Sequence, residues 1–129
     1  MKAGISAVNK KLLIVDDQAG MARAIRAVEE TVGFDCMTVN RAEEAIGAFL
    51  SFRPDVLILD IVMPETDGLD VLNDVLLTEI PSRIILTSGY GGSMLLLGEA
   101  LAQFHRRGPI DILPKPFRRE ELVELLTKA

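Results

Sequence analysis

Val56-Leu57-Ile58-Leu59-Asp60 decides how this chain of 129 residues folds. An unbroken apolar run, rather than an alternation, fits a strand buried on both faces, as in a parallel sheet covered by helices. Leu12-Leu13-Ile14-Val15 and Ile84-Ile85-Leu86 repeat the pattern. Cys36-Met37-Thr38-Val39 and Ile110-Asp111-Ile112-Leu113 are more mixed, as strands near the edges of a sheet would be. Pro114 closes the last run, and a residue without a backbone donor is better tolerated on an edge strand.

Helical spacing fills the intervals. Met21, Ile25, Val28 and Val32 recur at three and four residues across the stretch from Gln18 to Thr31, and Ala42, Ala45, Ile46, Phe49 and Leu50 do so before a stop at Arg53-Pro54. Leu69, Leu72, Val75 and Leu76 follow a turn at Thr66-Asp67-Gly68; Met94 to His105 reads as a long apolar-rich helix, and Leu122, Val123, Leu125 and Leu126 close the chain. The expected order is strand then helix, repeated five times, without sequence repeats or linkers. Such an α/β alternation gives a doubly wound parallel sheet with right-handed crossovers and helices on both faces.

Composition excludes several function classes. Lys+Arg 14 against Asp+Glu 19 gives a net charge of −5, which speaks against an electrostatic grip on nucleic acid or anionic lipid. Hydrophobic residues at 49% and charged residues at 26% are ordinary for a folded domain. No apolar run approaches the ~18 residues of a membrane span, and Ala3 to Val8 is too short and mixed for a signal peptide. The single cysteine, Cys36, has no internal disulfide partner, which fits a reducing, cytoplasmic setting.

In a doubly wound sheet the loops at the carboxyl ends of the strands gather into one crevice. The first strand ends in Asp16-Asp17, the third in Asp60, the fourth in Thr87-Ser88 and the fifth in Leu113-Pro114-Lys115-Pro116. Three carboxylates brought together repel, so shared protons or a cation must offset them. Oxygen ligands of this kind suit Mg2+, which shares its shell readily with a phosphate. A metal holding one phosphoryl oxygen would leave Asp60 to attack phosphorus as a carboxylate nucleophile. Lys115 can neutralise another phosphoryl oxygen and Thr87 can donate to a third, which is most of what phosphoryl transfer requires.

Those strand ends, together with Asp60-Ile61-Val62-Met63-Pro64-Glu65-Thr66-Asp67-Gly68, Leu86-Thr87-Ser88 and Lys115-Pro116-Phe117, resemble the receiver domain of bacterial two-component response regulators. The resemblance covers about residues 10–128, with no output domain after it, as in a stand-alone receiver or one excised from a longer protein. Its most specific piece is Asp60 followed by Met63-Pro64 and Asp67-Gly68. It implies a flavodoxin-like, five-stranded sheet in the order 2-1-3-4-5. Asp60 would be the phosphoacceptor, loaded from a phosphohistidine on a sensor histidine kinase or phosphotransfer protein. Asp17, Asp60 and the Val62 carbonyl would bind Mg2+, which Asp16 would reach through water. Thr87 and Lys115 would take the phosphoryl oxygens, and the Lys115-Pro116 bond would be cis. The domain would be a switch that assists its own phosphorylation and hydrolysis rather than a conventional enzyme. Phosphorylation would change the surface that binds a downstream protein. The face made by the fourth helix, fifth strand and fifth helix serves such partners, and homodimers, in the family.

Two departures stand out. The family usually carries an aromatic three residues before the lysine, and here that residue is Ile112. The interval from Thr87 to Gly108 also runs several residues long and opens with Gly89-Tyr90-Gly91-Gly92. Signalling is therefore expected to pass through this glycine-rich loop and the helix after it, with Tyr90 as a substitute reporter.

Taken singly, each signal has a plainer meaning. Asp16-Asp17 fits a solvated strand end or a helix cap, Asp67-Gly68 a turn, Thr87 a polar strand end and Lys115-Pro116 a surface loop. Cys36 reads as a small buried hydrophobe, and His105 beside Arg106 and Arg107 as an exposed helix terminus. Met94-Leu95-Leu96-Leu97 goes round a helix, so at least one of these residues points away from the sheet. It is either covered by the glycine-rich loop or used for a partner. Among enzymes, a haloacid-dehalogenase-like phosphohydrolase also uses an aspartate nucleophile and Mg2+. It needs a second aspartate two residues on, where this chain has Val62. A receiver reduced to an interaction module would have lost an acidic or lysine position, and none is lost here. A nucleotide-binding protein would show a glycine-rich loop after the first strand.

Overall fold

The computed structural model describes residues 10–16, 28–30, 32–63, 66–88, 92–104 and 110–127. Their strands are β1 (Lys11–Val15), β2 (Asp35–Val39), β3 (Val56–Asp60), β4 (Val62–Met63), β5 (Thr66–Asp67), β6 (Arg83–Ser88) and β7 (Asp111–Pro114). The helical segments are residues 28–30 (α1), Ala45–Phe52 (α2, preceded by a 3-10 turn at Ala42–Glu44), Gly68–Thr78 (α3), Gly92–Phe104 (α4) and Arg119–Thr127 (α5).

The main sheet is parallel throughout and runs β2-β1-β3-β6-β7, the order 2-1-3-4-5 when its own strands alone are counted. Burial explains the run composition. Every residue of β3 is buried, as are Leu12–Val15 of β1 and Ile84–Ser88 of β6, because helices cover both faces of these inner strands. The mixed runs are the edge strands β2 and β7, and Pro114 ends the edge strand β7, opposite Ser88. On one face Leu13, Val15, Leu57, Leu59 and Leu86 pack against α2, α3 and α4 through Phe49, Leu72, Leu76 and Ala102. On the other, Leu12, Ile14, Ile58 and Ile85 pack against Val28, Phe34, Leu122 and Leu126.

Several expectations change. The stretch read as a turn at Thr66-Asp67-Gly68 splits: Thr66–Asp67 pairs antiparallel with Val62–Met63, and Gly68 is the first residue of α3. The 3.6-residue face of α2 buries Ala45 and Phe49 but leaves Leu50 exposed. α4 begins at Gly92 and reaches Phe104. Its Leu96 and Leu97 are 64% and 56% exposed, so at least these two residues of the apolar run point to solvent. Cys36 is only half-buried, because β2 is an edge. Gln18 to residue 27, Gly89-Tyr90-Gly91 and His105 to Gly108 lie outside the described residues. Among the described residues no helix is long and apolar enough to cross a membrane.

Candidate functional site

Parallel strands end on the same side of a sheet, and here that side carries the charge. β1 runs directly into Asp16, whose N–H donates to Val39 O of β2 at 3.0 Å and fixes the chain beyond the strand. Asp60 is the last residue of β3 and stands in register with Thr87 of β6. Ile61, just after the acceptor candidate, donates its N–H to Thr87 O at 3.1 Å, so the two strand ends are tied together. Lys115 follows β7, and its N–H donates to Ser88 O at 2.9 Å. The next bond, Lys115-Pro116, is cis, as the resemblance implied.

The side chains meet. The Lys115 Nζ lies 2.8 Å from Asp16 Oδ2 and 2.9 Å from Asp60 Oδ2. Both carboxylates are buried, with side chains 1% and 3% exposed, and the lysine side chain is 13% exposed. Burial is the largest single influence on Lys115 and pulls its pKa down. The hydrogen bonds and charges of Asp16 and Asp60 together outweigh that pull and hold it above the ordinary lysine value. Among the described residues, the Lys115 ammonium thus serves both buried carboxylates. Thr87 is fully buried, and its Oγ1 has no hydrogen-bond partner among the described residues. A buried hydroxyl left without a partner costs stability, so a ligand that accepts from it would be bound with that much advantage.

Of the residues singled out from the sequence, Asp16, Asp60 and Lys115 are therefore in direct contact, and Thr87 sits beside Asp60 through strand register. Val62 lies two residues beyond Asp60 in β4, and Asp17 lies outside the described residues. The donor chemistry fits Mg2+: hard carboxylate oxygens gathered at one point, whose mutual repulsion a divalent cation offsets.

Sequence reasoning singled out one residue of this region without giving it a role beyond a turn. Gly68, read as half of an Asp-Gly turn, donates its N–H to Ile61 O at 3.2 Å and lies against the peptide that follows Asp60. Nothing in a local pattern separates a glycine that makes a turn from one that lets a second backbone approach. Ile112, the residue at the family's aromatic position, is half-buried and packs on the α2–α4 side of the core.

Comparison with known proteins agrees with this fold. The family model for the response regulator receiver domain matches residues 12–127. The chemotaxis protein CheY of Thermotoga maritima is 29% identical over 122 residues, covering 94% of this chain and 98% of that protein. CheY of Listeria monocytogenes is 31% identical over 120 residues, covering 92% and 97%. The receiver domain of the Francisella response regulator 1452 superposes with a TM-score of 0.75 at 27% identity, covering 92% of this chain and 94% of that one.

Proposed function

The chain belongs to the response regulator receiver family of two-component signalling, and from that premise we propose that Asp60 accepts a phosphoryl group from a phosphohistidine and so switches the affinity of the domain for a downstream protein. Receiver domains are signalling proteins rather than conventional enzymes. The observation that carries the reading is the Lys115 ammonium held between the Asp16 and Asp60 carboxylates at the ends of three strands.

In the proposed step an Asp60 carboxylate oxygen attacks phosphorus. The P–O bond forms as the P–N bond to the donor imidazole breaks, and the imidazole leaves. Lys115 transfers its charge from the two carboxylates to a phosphoryl oxygen, and the Thr87 hydroxyl donates to another. Asp16, Asp17, Asp60 and the Val62 carbonyl would hold Mg2+, which when bound neutralises charge on the phosphoryl group. A loaded Asp60 gives the Thr87 hydroxyl, which has no hydrogen-bond partner among the described residues, an acceptor, and this difference between two states is what a switch requires. We read residues 10–128 as one such domain, working in the cytoplasm with a histidine kinase or phosphotransfer protein as donor. Its downstream partner, or a second copy, would dock on the face made by α4, β7 and α5.

Intact-mass spectrometry after incubation with acetyl phosphate tests the acceptor. The expected result is a phosphoryl-sized gain that needs Mg2+ and disappears in Asp60→Asn. No gain, together with no response of the amide spectrum to beryllofluoride, would sink the proposal.

A further inference from the structure

We infer that Gly68 is a positioning residue for the acceptor, one whose missing side chain lets α3 seat directly on the Asp60–Ile61 peptide. The inference rests on Asp60 being the acceptor. A Cβ at position 68 would meet Ile61 Cα at 2.3 Å, Asp60 O at 2.7 Å and the Ile61 carbonyl carbon at 2.7 Å. All three are backbone atoms, so no rotamer change relieves the clash. The same peptide is held from its other side, where Ile61 N–H donates to Thr87 O at 3.1 Å, while Ile61 O accepts from Gly68 N–H at 3.2 Å. The segment leaving Asp60 is therefore pinned between β6 and the first residue of α3. Asp60 stands at the head of this segment, and Val62, whose carbonyl would hold Mg2+, follows Ile61 in it.

Gly98 provides the contrast. A Cβ there would meet Leu86 Cδ1 at 2.5 Å, which is the end of a flexible side chain on the core side of β6. Substitution at either glycine disturbs packing, but only at position 68 must the backbone after the acceptor retreat. To reach an ordinary contact it would move from 2.3 Å to at least 3.4 Å, about 1 Å, and a misplacement of that size costs on the order of 100-fold in rate.

The test compares Gly68→Ala with Gly98→Ala, each in a Glu79→Gly background. That background relieves the left-handed backbone of Glu79 (φ 58°) at the end of α3 and helps both variants fold. The acetyl phosphate rate is read by intact mass, and Mg2+ affinity by the amide shifts of Asp60 and Ile61. Gly68→Ala is expected to lose about 100-fold in rate and to weaken Mg2+ binding at least tenfold, while Gly98→Ala stays near its parent. In the unsubstituted chain, the Gly68 amide should shift with the same Mg2+ midpoint as Asp60, a measurement that needs no variant. A folded Gly68→Ala with parental rate and affinity, or a Gly68 amide indifferent to Mg2+, overturns the positioning role alone. An unsubstituted chain that takes neither phosphoryl group nor Mg2+ overturns the acceptor reading and the inference with it.

Discussion

The two ends of the sheet use the same charged groups in opposite ways. At the amino-terminal end, Arg83 of β6 donates from Nε at 2.9 Å and Nη2 at 2.7 Å to Asp111 Oδ2 of β7. Each side chain there is 28% exposed, and the Arg83 guanidinium holds the Asp111 carboxylate. Nearby, Asp55 Oδ2 accepts from the Lys11 backbone N–H at 2.8 Å. At the carboxyl-terminal end, Lys115 faces two carboxylates that are nearly out of reach of water. The first arrangement clamps an edge strand and asks nothing of a ligand. The second holds two like charges on one lysine, a repulsion that further positive charge relieves.

The largest expected effect comes from removing the shared cation. Lys115→Met removes the ammonium that two buried carboxylates share and should cost about 3 kcal/mol in urea unfolding at pH 7. Arg83→Met, at the wetter end, should cost about 1 kcal/mol. Alkaline pH separates the two ends again. The pKa of Lys115 is higher folded than unfolded, so its contribution is complete below the ordinary 10.5 and is lost as pH rises through the higher folded value. The unsubstituted protein should therefore lose stability above about pH 10.5, and Lys115→Met should lack that part of the decline. Equal losses for the two variants at pH 7 would erase the contrast.

A sharper test is one of sign. Asp16→Asn removes one of two like charges that share a lysine and should raise stability by about 1 kcal/mol, while Mg2+-dependent phosphorylation falls away. Asp111→Asn removes the carboxylate that Arg83 holds and should lower stability by about 1 kcal/mol. Paired thermal melts decide it, and a loss for both variants would mean that the carboxyl-terminal end stores no repulsion.

How far the chain could be read in advance follows the same physics. The inner strands were legible because two-sided burial demands unbroken apolar runs, and the edges because half-covered strands admit Asp35, Thr38 and Asp111. Asp16, Asp60, Thr87 and Lys115 followed from strand ends alone, since parallel strands gather those ends on one side. Tertiary distance was not legible. Periodicity placed Leu50 on an apolar face, yet the helix does not turn that residue under its neighbours. An Asp-Gly pair spells a turn, while the 2.3 Å approach to Ile61 depends on where α3 lands on β3. That Lys115 would divide itself between two carboxylates is likewise a matter of side-chain reach rather than of spacing.

Cys36 isolates one half of the contrast, burial with no compensating positive charge beside it among the described residues. Its thiol, half-buried on β2, is raised from 9.0 to about 11, first by burial and then by the negative charges of Glu29 and Asp35. Lys115 feels burial too, but its partners reverse the direction. At pH 8 a thiol at about 11 holds about 100-fold less thiolate than one at 9.0. The more basic thiolate is also the better nucleophile and recovers about half of that on a logarithmic scale, so alkylation by iodoacetamide should run about tenfold slower than in the urea-unfolded chain. Asp35→Asn removes one of the raising charges and should recover part of that factor. An equal rate folded and unfolded would show that water reaches the thiol freely, and that burial at this edge strand carries no electrostatic weight.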